Sequence, residues 1–248
     1  MTTPPHSPKR NHHYLPRLYL KGFTLKSGSP FLWVYKRGEP YNPGLNEAKN
    51  NPHKASLKKA GAERDFYAEQ KPSGEVDFET VENQLEKLEK PGDLIFSKIR
   101  AHQPINNEEK RIFSLYTVLM HRRVPKYRHA LMEMTPKTLA AYEPPEELLR
   151  LVAGNDDNEK QAFIRAIAQK VAKDPGYPTQ AHLKVVVNIE DSLLVHVLNM
   201  MNWNFYVASS DEVFLTGDDP VYISKKVGLR KNVSELSFPV STDVTLIA

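Results

Sequence analysis

The sequence predicts an α+β domain with a largely helical body and a small, mostly antiparallel sheet built from an N-terminal strand and the C-terminal strands. Three observations carry that expectation. Apolar residues recur at helical spacing through the middle of the chain, Phe31-Leu32-Trp33-Val34-Tyr35 is an aromatic and β-branched run between turn residues, and the last fifth alternates short strand-like runs with Gly, Asp and Pro turns.

In order, Met1 to Arg10 reads as a flexible tail, because Pro4, Pro5 and Pro8 forbid regular helix and nothing apolar anchors it. A single domain is expected from Asn11 to Ala248. Leu15 precedes a proline and is pushed to extended backbone, Pro16 suits a helix start, and Gly22 suits a left-handed cap, so Arg17 to Lys21 should form about one helical turn. Lys36 to Glu63 reads as a long basic loop, and Phe66-Tyr67-Ala68 as a short strand.

Asp77 to Lys90 places Phe78, Val81, Leu85 and Leu88 on one face of a helix. Pro91-Gly92 should end it, with Asp93 capping a second helix through Ile95, Phe96 and Ile99. Asn107 to Arg123 repeats the pattern with Ile112, Leu115, Tyr116, Leu119 and Met120, and Pro125 should break or kink it. A turn is expected at Glu143-Pro144-Pro145, a helix from Asp156 or Asp157 to Lys173, and a longer core helix from Thr179 to Met201. Trp203 to Ala208, Val213 to Leu215, Val221 to Ser224 and Leu236 to Val240 read as strands. The apolar end Thr245-Leu246-Ile247-Ala248 suggests a buried strand or a chain shorter than its natural domain.

Composition narrows the chemistry. There is no cysteine, which excludes disulfides, thiolate ligands and a cysteine nucleophile, and fits a cytoplasmic setting. No apolar run is long enough to span a membrane, and the N-terminus lacks a signal-peptide pattern. Met1 to Ala60 holds eleven Lys or Arg against two acids, for a net +9, while the rest nets −5. A basic third on an acidic body points to nucleic acid or an acidic partner, or to a solvated basic surface.

Asn11-His12-His13-Tyr14-Leu15-Pro16, Tyr19-Leu20 and Phe23, the Phe31 to Tyr35 run, Phe66-Tyr67, the helix bearing Glu82 and Glu89, Arg123-Val124-Pro125, Phe214 to Val221 and Phe238-Pro239 together resemble the bacterial family known as domain of unknown function 4238. That family is marked by a His-His-Tyr-x-Pro motif. The resemblance spans nearly the whole chain and implies homology but no activity. It also implies a missing helical segment, since relatives continue past the equivalent of Phe238-Pro239.

The candidate site starts from that motif. In an extended segment His12 and His13 face opposite sides, so one of them can serve as metal ligand or general base. If Leu15 is core, His13 points inward; if Tyr14 is core, His12 does. The competing reading is a histidine hydrogen-bonded to backbone. Gly217-Asp218-Asp219-Pro220 could present carboxylates to a hard cation or be an ordinary turn. Glu82, Glu86 and Glu89 could add a ligand or pair with Lys87 and Lys90 on a solvated face. Arg122, Arg123 and Lys126 could grip phosphate or complement a helix C-terminus.

Joined, these parts describe a nuclease-like metal-dependent phosphodiester hydrolase acting on nucleic acid. Asp218, Asp219 and Glu82 would hold Mg²⁺ or Mn²⁺, His12 or His13 would work with Asp218 in catalysis, and Arg122, Arg123 and Lys126 would bind phosphate. The rival expectation is a non-catalytic module that binds nucleic acid or an acidic partner, with the histidine motif purely structural.

Overall fold

The computed structural model describes residues 9–24, 28–45, 51–71, 73–140, 158–159, 162, 166, 176–190, 192–224 and 235–248. It is an α+β fold of helices and small antiparallel sheets. Strand β1 (Asn11–His13) leads through Pro16 into α1 (Arg17–Leu20), which tightens into a 3₁₀ turn over Lys21–Phe23. Pro16 opens that helix as its spacing predicts. Gly22 plays a steric part, because a Cβ there would lie 2.5 Å from Arg100 Nη2 and 2.8 Å from the Val240 carbonyl.

The segment that reads as a basic loop contains two strands. β2 (Phe31–Val34) pairs antiparallel with β3 (His53–Ser56), and β4 (Ala62–Arg64) pairs with β1. Pattern alone misses β3 because His53-Lys54-Ala55-Ser56 has no apolar alternation. Tertiary pairing creates it, and Asn51 closes the intervening loop by accepting the Lys36 N–H and donating to the Lys36 carbonyl. Phe66-Tyr67 form a buried turn instead of a strand, and the chain continues into the hairpin β5 (Glu69–Gln70) and β6 (Val76–Asp77).

Helix α2 (Thr80–Arg100) is continuous through Pro91, where the sequence predicts a break. Proline inside a helix costs about 3 kcal/mol, so something must offset it. The apolar stripe does: Val81, Leu85, Leu88, Gly92, Ile95 and Ile99 recur at steps of four and three without losing register across the proline. Its start is held by Asp77, whose carboxylate accepts from the Glu79 and Thr80 amides and the Thr80 hydroxyl, and these bonds pull the Asp77 acid well below the usual range.

Helix α3 (Asn107–Arg122) begins with a capping box in which Asn106 and Glu109 satisfy each other's amides. Pro125 ends it and starts α4 (Pro125–Ala140). The long helix expected from Thr179 to Met201 is two, α5 (Tyr177–Val187) and α6 (Leu193–Met200), separated by a bend that turns Ile189 into the core. The β-branched run Val185-Val186-Val187 followed by Asn188 weakens helix there. The expected helix from Asp156 to Lys173, apart from helical Asn158, Glu159, Ala162 and Ala166, lies outside the described residues, as do Met1 to Pro8 and Glu143-Pro144-Pro145.

The C-terminal strands β7 (Asn204–Val207), β8 (Tyr222–Ile223), β9 (Leu236–Pro239) and β10 (Val244–Ile247) form one antiparallel sheet in the order β7-β10-β9-β8. Val213 to Leu215 is not a strand, although the Phe214 N–H donates to the Thr242 carbonyl. β10 takes the place beside β7 instead, which makes the apolar end an interior strand.

An aromatic cluster joins these layers. Tyr19 stacks on Phe238 at 5.3 Å, and Phe96 meets Phe113 and Tyr116 edge-on at 5.1 and 4.8 Å, so α1, α2, α3 and the sheet share one core. Arg100 fastens the same junction by donating to the carbonyls of Leu18, Tyr19 and Val240. Gly92 lets α3 approach α2, since a Cβ there would sit 2.8 Å from the Tyr116 ring. Alanine would add about 1 kcal/mol of helix propensity, against about 1–3 kcal/mol of overpacking in a buried ring contact. Gly92→Ala should therefore lower Tm in a thermal melt, and an unchanged or raised Tm would show that Tyr116 yields freely.

Candidate functional site

The His-His-Tyr motif divides its side chains between interior and site. His12 is fully buried: its Nδ1 accepts the Tyr67 N–H at 2.8 Å, its Nε2–H donates to the Lys9 carbonyl at 2.8 Å, and its ring stacks on Tyr67. A backbone donor at Nδ1 requires a lone pair there, which puts the proton on Nε2 and leaves neither nitrogen for a metal or a substrate. His13 is half-buried and bonds the Leu57 carbonyl through Nε2 at 3.1 Å; burial pushes its pKa down.

The alternation that would send His12 and Leu15 to opposite faces does not apply, because both are buried. Strand geometry ends at His13, where the chain bends toward Pro16. Tyr14 is the member that reaches across the fold. Its hydroxyl donates to Asp218 Oδ1 at 3.2 Å, and burial together with that carboxylate raises the phenol's pKa.

So the motif and the Gly217-Asp218-Asp219-Pro220 turn do meet, through the tyrosine and not through a histidine. Below that contact Tyr19 Oη shares a 2.6 Å hydrogen bond with Thr216 and donates to the Pro239 carbonyl. Beside it, Lys126 at the start of α4 pairs with Asp219. His121, near the end of α3, has a buried Nδ1 with no hydrogen-bond partner among the described residues, and its pKa is pushed down by burial although Asp219 acts in the opposite direction.

The three cations expected to bind phosphate are spread over different tasks. Arg123 is buried: Nε donates to the Tyr67 hydroxyl at 3.1 Å, Nη2 to the His13 carbonyl at 2.5 Å, and Nη1 pairs with Glu89. Burial opposes its charge, but Tyr67 and Glu89 outweigh that and raise its pKa. Arg122 donates to Ser192 Oγ at 2.6 Å. Lys126 alone lies at the surface.

Glu82 stands apart from the two aspartates. It pairs with Lys9 at 2.6 Å and borders a cleft of about 230 Å³ lined also by Phe78, Glu79, Asn83 and Glu86. Its other oxygen, Oε1, is buried without a hydrogen-bond partner. Among the described residues no group of three or more His, Asp or Glu side chains is placed to hold a metal ion. The solvated pairing expected for the acidic helix holds for Glu86 with Lys90 at 3.3 Å, while Glu89 turns inward to Arg123.

The chain matches the family model for a protein of unknown function (DUF4238) over residues 11–248. It belongs to that family. No curated protein and no solved structure matches it significantly. The sequence points to the histidines of the motif and leaves Tyr14 without a functional role, and it does not single out Tyr67 or His182 as site residues. Tyr14 was visible as the aromatic next to the histidine pair. Tyr67 and His182 carry no local signal, because their partners, Arg123 and the Arg122 carbonyl, lie far away in sequence.

Two outcomes follow from this geometry. Removing Arg123 leaves the half-buried Glu89 without its cation and the His13 carbonyl and Tyr67 hydroxyl without their donor, so Arg123→Leu should cost up to about 3 kcal/mol; chemical denaturation measures it, and a loss below about 1 kcal/mol would mean that Glu89 finds water.

His182 is fully buried with its Nε2–H on the Arg122 carbonyl, and burial takes its pKa down to about 4. The unfolded chain then binds a proton that the folded chain refuses between about pH 6.5 and 4. Stability from this group is complete above that window and lost as pH falls through it. His182→Gln should flatten the decline in Tm across that window relative to wild type, and parallel curves for the two proteins would remove His182 as the cause.

Proposed function

We propose that the protein is a nucleic-acid-binding module in which the His-His-Tyr motif is structural. The observation that carries this reading is the outer face of the β2–β3 ribbon. Phe31 and Trp33 alternate along it, 45% and 41% exposed, Tyr35 follows just past the end of β2 and is 69% exposed, and Lys54 lies 5.1 Å from the centre of the Trp33 ring. The stretch from Gly28 to Arg64 carries seven Lys or Arg against three acids. Exposed aromatic rings among cations are what a phosphate-bearing, base-bearing polymer needs: charge for the backbone and flat apolar faces for the bases. The histidine motif supports the same division, since both His12 nitrogens are committed to backbone. The absence of cysteine accords with a cytoplasmic setting.

The affinity should depend on salt. With about three phosphates neutralised, binding measured by fluorescence anisotropy should weaken roughly 20-fold for a single strand and roughly 40-fold for a duplex between 50 and 200 mM salt. A flat salt dependence would sink the reading, and equal displacement by polyglutamate would replace it with an acidic protein partner.

A second reading, metal-dependent phosphodiester hydrolysis, has one observation in its favour. The Tyr14 to Asp218 bond brings the family motif to a turn bearing two adjacent carboxylates, with Lys126 and His121 alongside. Asp218 and Asp219 would be the ligands for Mg²⁺ or Mn²⁺, polarising a phosphoryl oxygen and activating water. Glu82, held by Lys9, is not grouped with them. On this reading, labelled DNA or RNA incubated with Mg²⁺ or Mn²⁺ is cut and Asp218→Ala abolishes the cleavage. Cleavage that persists in Asp218→Ala, or none in the wild type, would leave only the binding role.

A further inference from the structure

We infer that the β2–β3 ribbon takes single-stranded nucleic acid and stacks splayed bases on Phe31, Trp33 and Tyr35. The inference rests on the proposed nucleic-acid-binding function and specifies its ligand and contact surface. It begins with spacing. Alternate residues of a strand lie on one face at roughly 7 Å intervals, about twice the 3.4 Å rise per nucleotide along a duplex strand. Successive rings on this face therefore match bases that have been pulled apart, and mismatch bases that remain stacked on one another.

The second step concerns access. In a duplex the base faces are covered by their neighbours, and extruding one costs a few kcal/mol. A flat platform gains nothing from a duplex beyond phosphate contact, whereas each base of a single strand offers an uncovered face. Exposure already present in the free protein means that the platform needs no rearrangement. Leu32 between Phe31 and Trp33 is buried and its partner Ala55 is half-buried, so the opposite face of the ribbon is anchored to the core and the rings are held in register.

Charge supplies the third step. Trp33 is paired across the ribbon with Lys54, Tyr35 is followed by Lys36 and Arg37, and β3 is followed by Lys58 and Lys59, all exposed. Arg37, Lys58 and Lys59 make no ion pair among the described residues. A backbone running along the ribbon thus meets Arg37 beyond one end of the ring row, Lys58 and Lys59 beyond the other, and Lys54 beside Trp33 between them, which suits a polyanion.

The test compares one oligonucleotide as a single strand and as its own duplex, in DNA and RNA forms, with the full chain. Preferential binding of the single strand, accompanied by quenching of Trp33 emission, is expected. Trp33→Ala should weaken that binding roughly 5- to 100-fold, while Trp33→Phe should retain most of it; circular dichroism checks that both variants fold. Equal or tighter binding of the duplex would overturn this inference and leave the nucleic-acid-binding function standing. Single-strand binding unaffected by Trp33→Ala and by Tyr35→Ala would overturn the ribbon as the surface. Binding of neither form would overturn the function itself.

Discussion

Arg123 keeps its charge inside the protein, and the cost of desolvating that charge dictates what surrounds it. A guanidinium without water needs its donors filled and an anion nearby. Here the partners come from three distant places: Glu89 on α2, the Tyr67 hydroxyl in the turn after β4, and the His13 carbonyl of the family motif. Each partner carries a further tie. Tyr67 gives its N–H to His12, and His12 gives its own to the Lys9 carbonyl, so the N-terminal strand is positioned by a chain of bonds that begins at the end of α3. Such a pair contributes little net stability against an apolar replacement of both partners, while removal of one partner alone leaves a charge uncompensated. The motif is the seat of a buried cation: the His13 carbonyl accepts from Arg123, and His12 holds the amide of the Tyr67 that Arg123 also binds.

That view explains which parts of the fold were legible. The apolar stripe of α3, the Pro125 boundary, the turn of helix after Pro16 and the C-terminal strands β7 and β9 all follow from local periodicity and proline stereochemistry, which a single sequence contains. Pro91 departs from the proline rule because the apolar stripe continues in register across it and offsets the local cost. β3 was invisible because His53 to Ser56 becomes a strand only by pairing with β2. The same limit applies to the site. Strand alternation says that His12 and His13 diverge, which they do, yet it cannot say that the chain bends after His13 and brings His12 and Leu15 into the same core.

The meeting of the motif with the Gly217 to Pro220 turn was foreseen in place and not in chemistry. A tyrosine makes the contact, because Tyr14 stands one residue beyond the strand, half-buried against Phe66 with its hydroxyl turned to Asp218. A phenol with a raised pKa beside a carboxylate is a donor, so it fixes the turn's orientation and occupies one oxygen of Asp218. Lys126 does the same for Asp219. Two carboxylates each restrained by one neighbour form a stable corner between α4, the motif and the sheet, and whatever chemistry they perform must use the oxygens that remain.

Charge adds a constraint that the net count hides. The +9 of the first sixty residues is not nine available cations: Lys9 is taken by Glu82, Arg10 by Asp65, and Lys36 lies beside Glu39. Farther along the chain, Arg123 is spent on the interior and Lys126 on Asp219. Exposed and without an ion pair among the described residues of that region are Arg17, Lys21, Arg37, Lys58 and Lys59, and the last three lie at the two ends of the aromatic row. Burial has sorted the cations, sending those with a carboxylate in reach to structural duty and leaving the ribbon as the place where positive charge and exposed rings coincide. A polyanion approaching this protein is steered by the summed field, but it can release counterions only where cations are unpaired. For the proposed nucleic-acid-binding function, that physical distinction, and not the total charge, favours the ribbon over the Arg122 to Lys126 cluster as the contact surface.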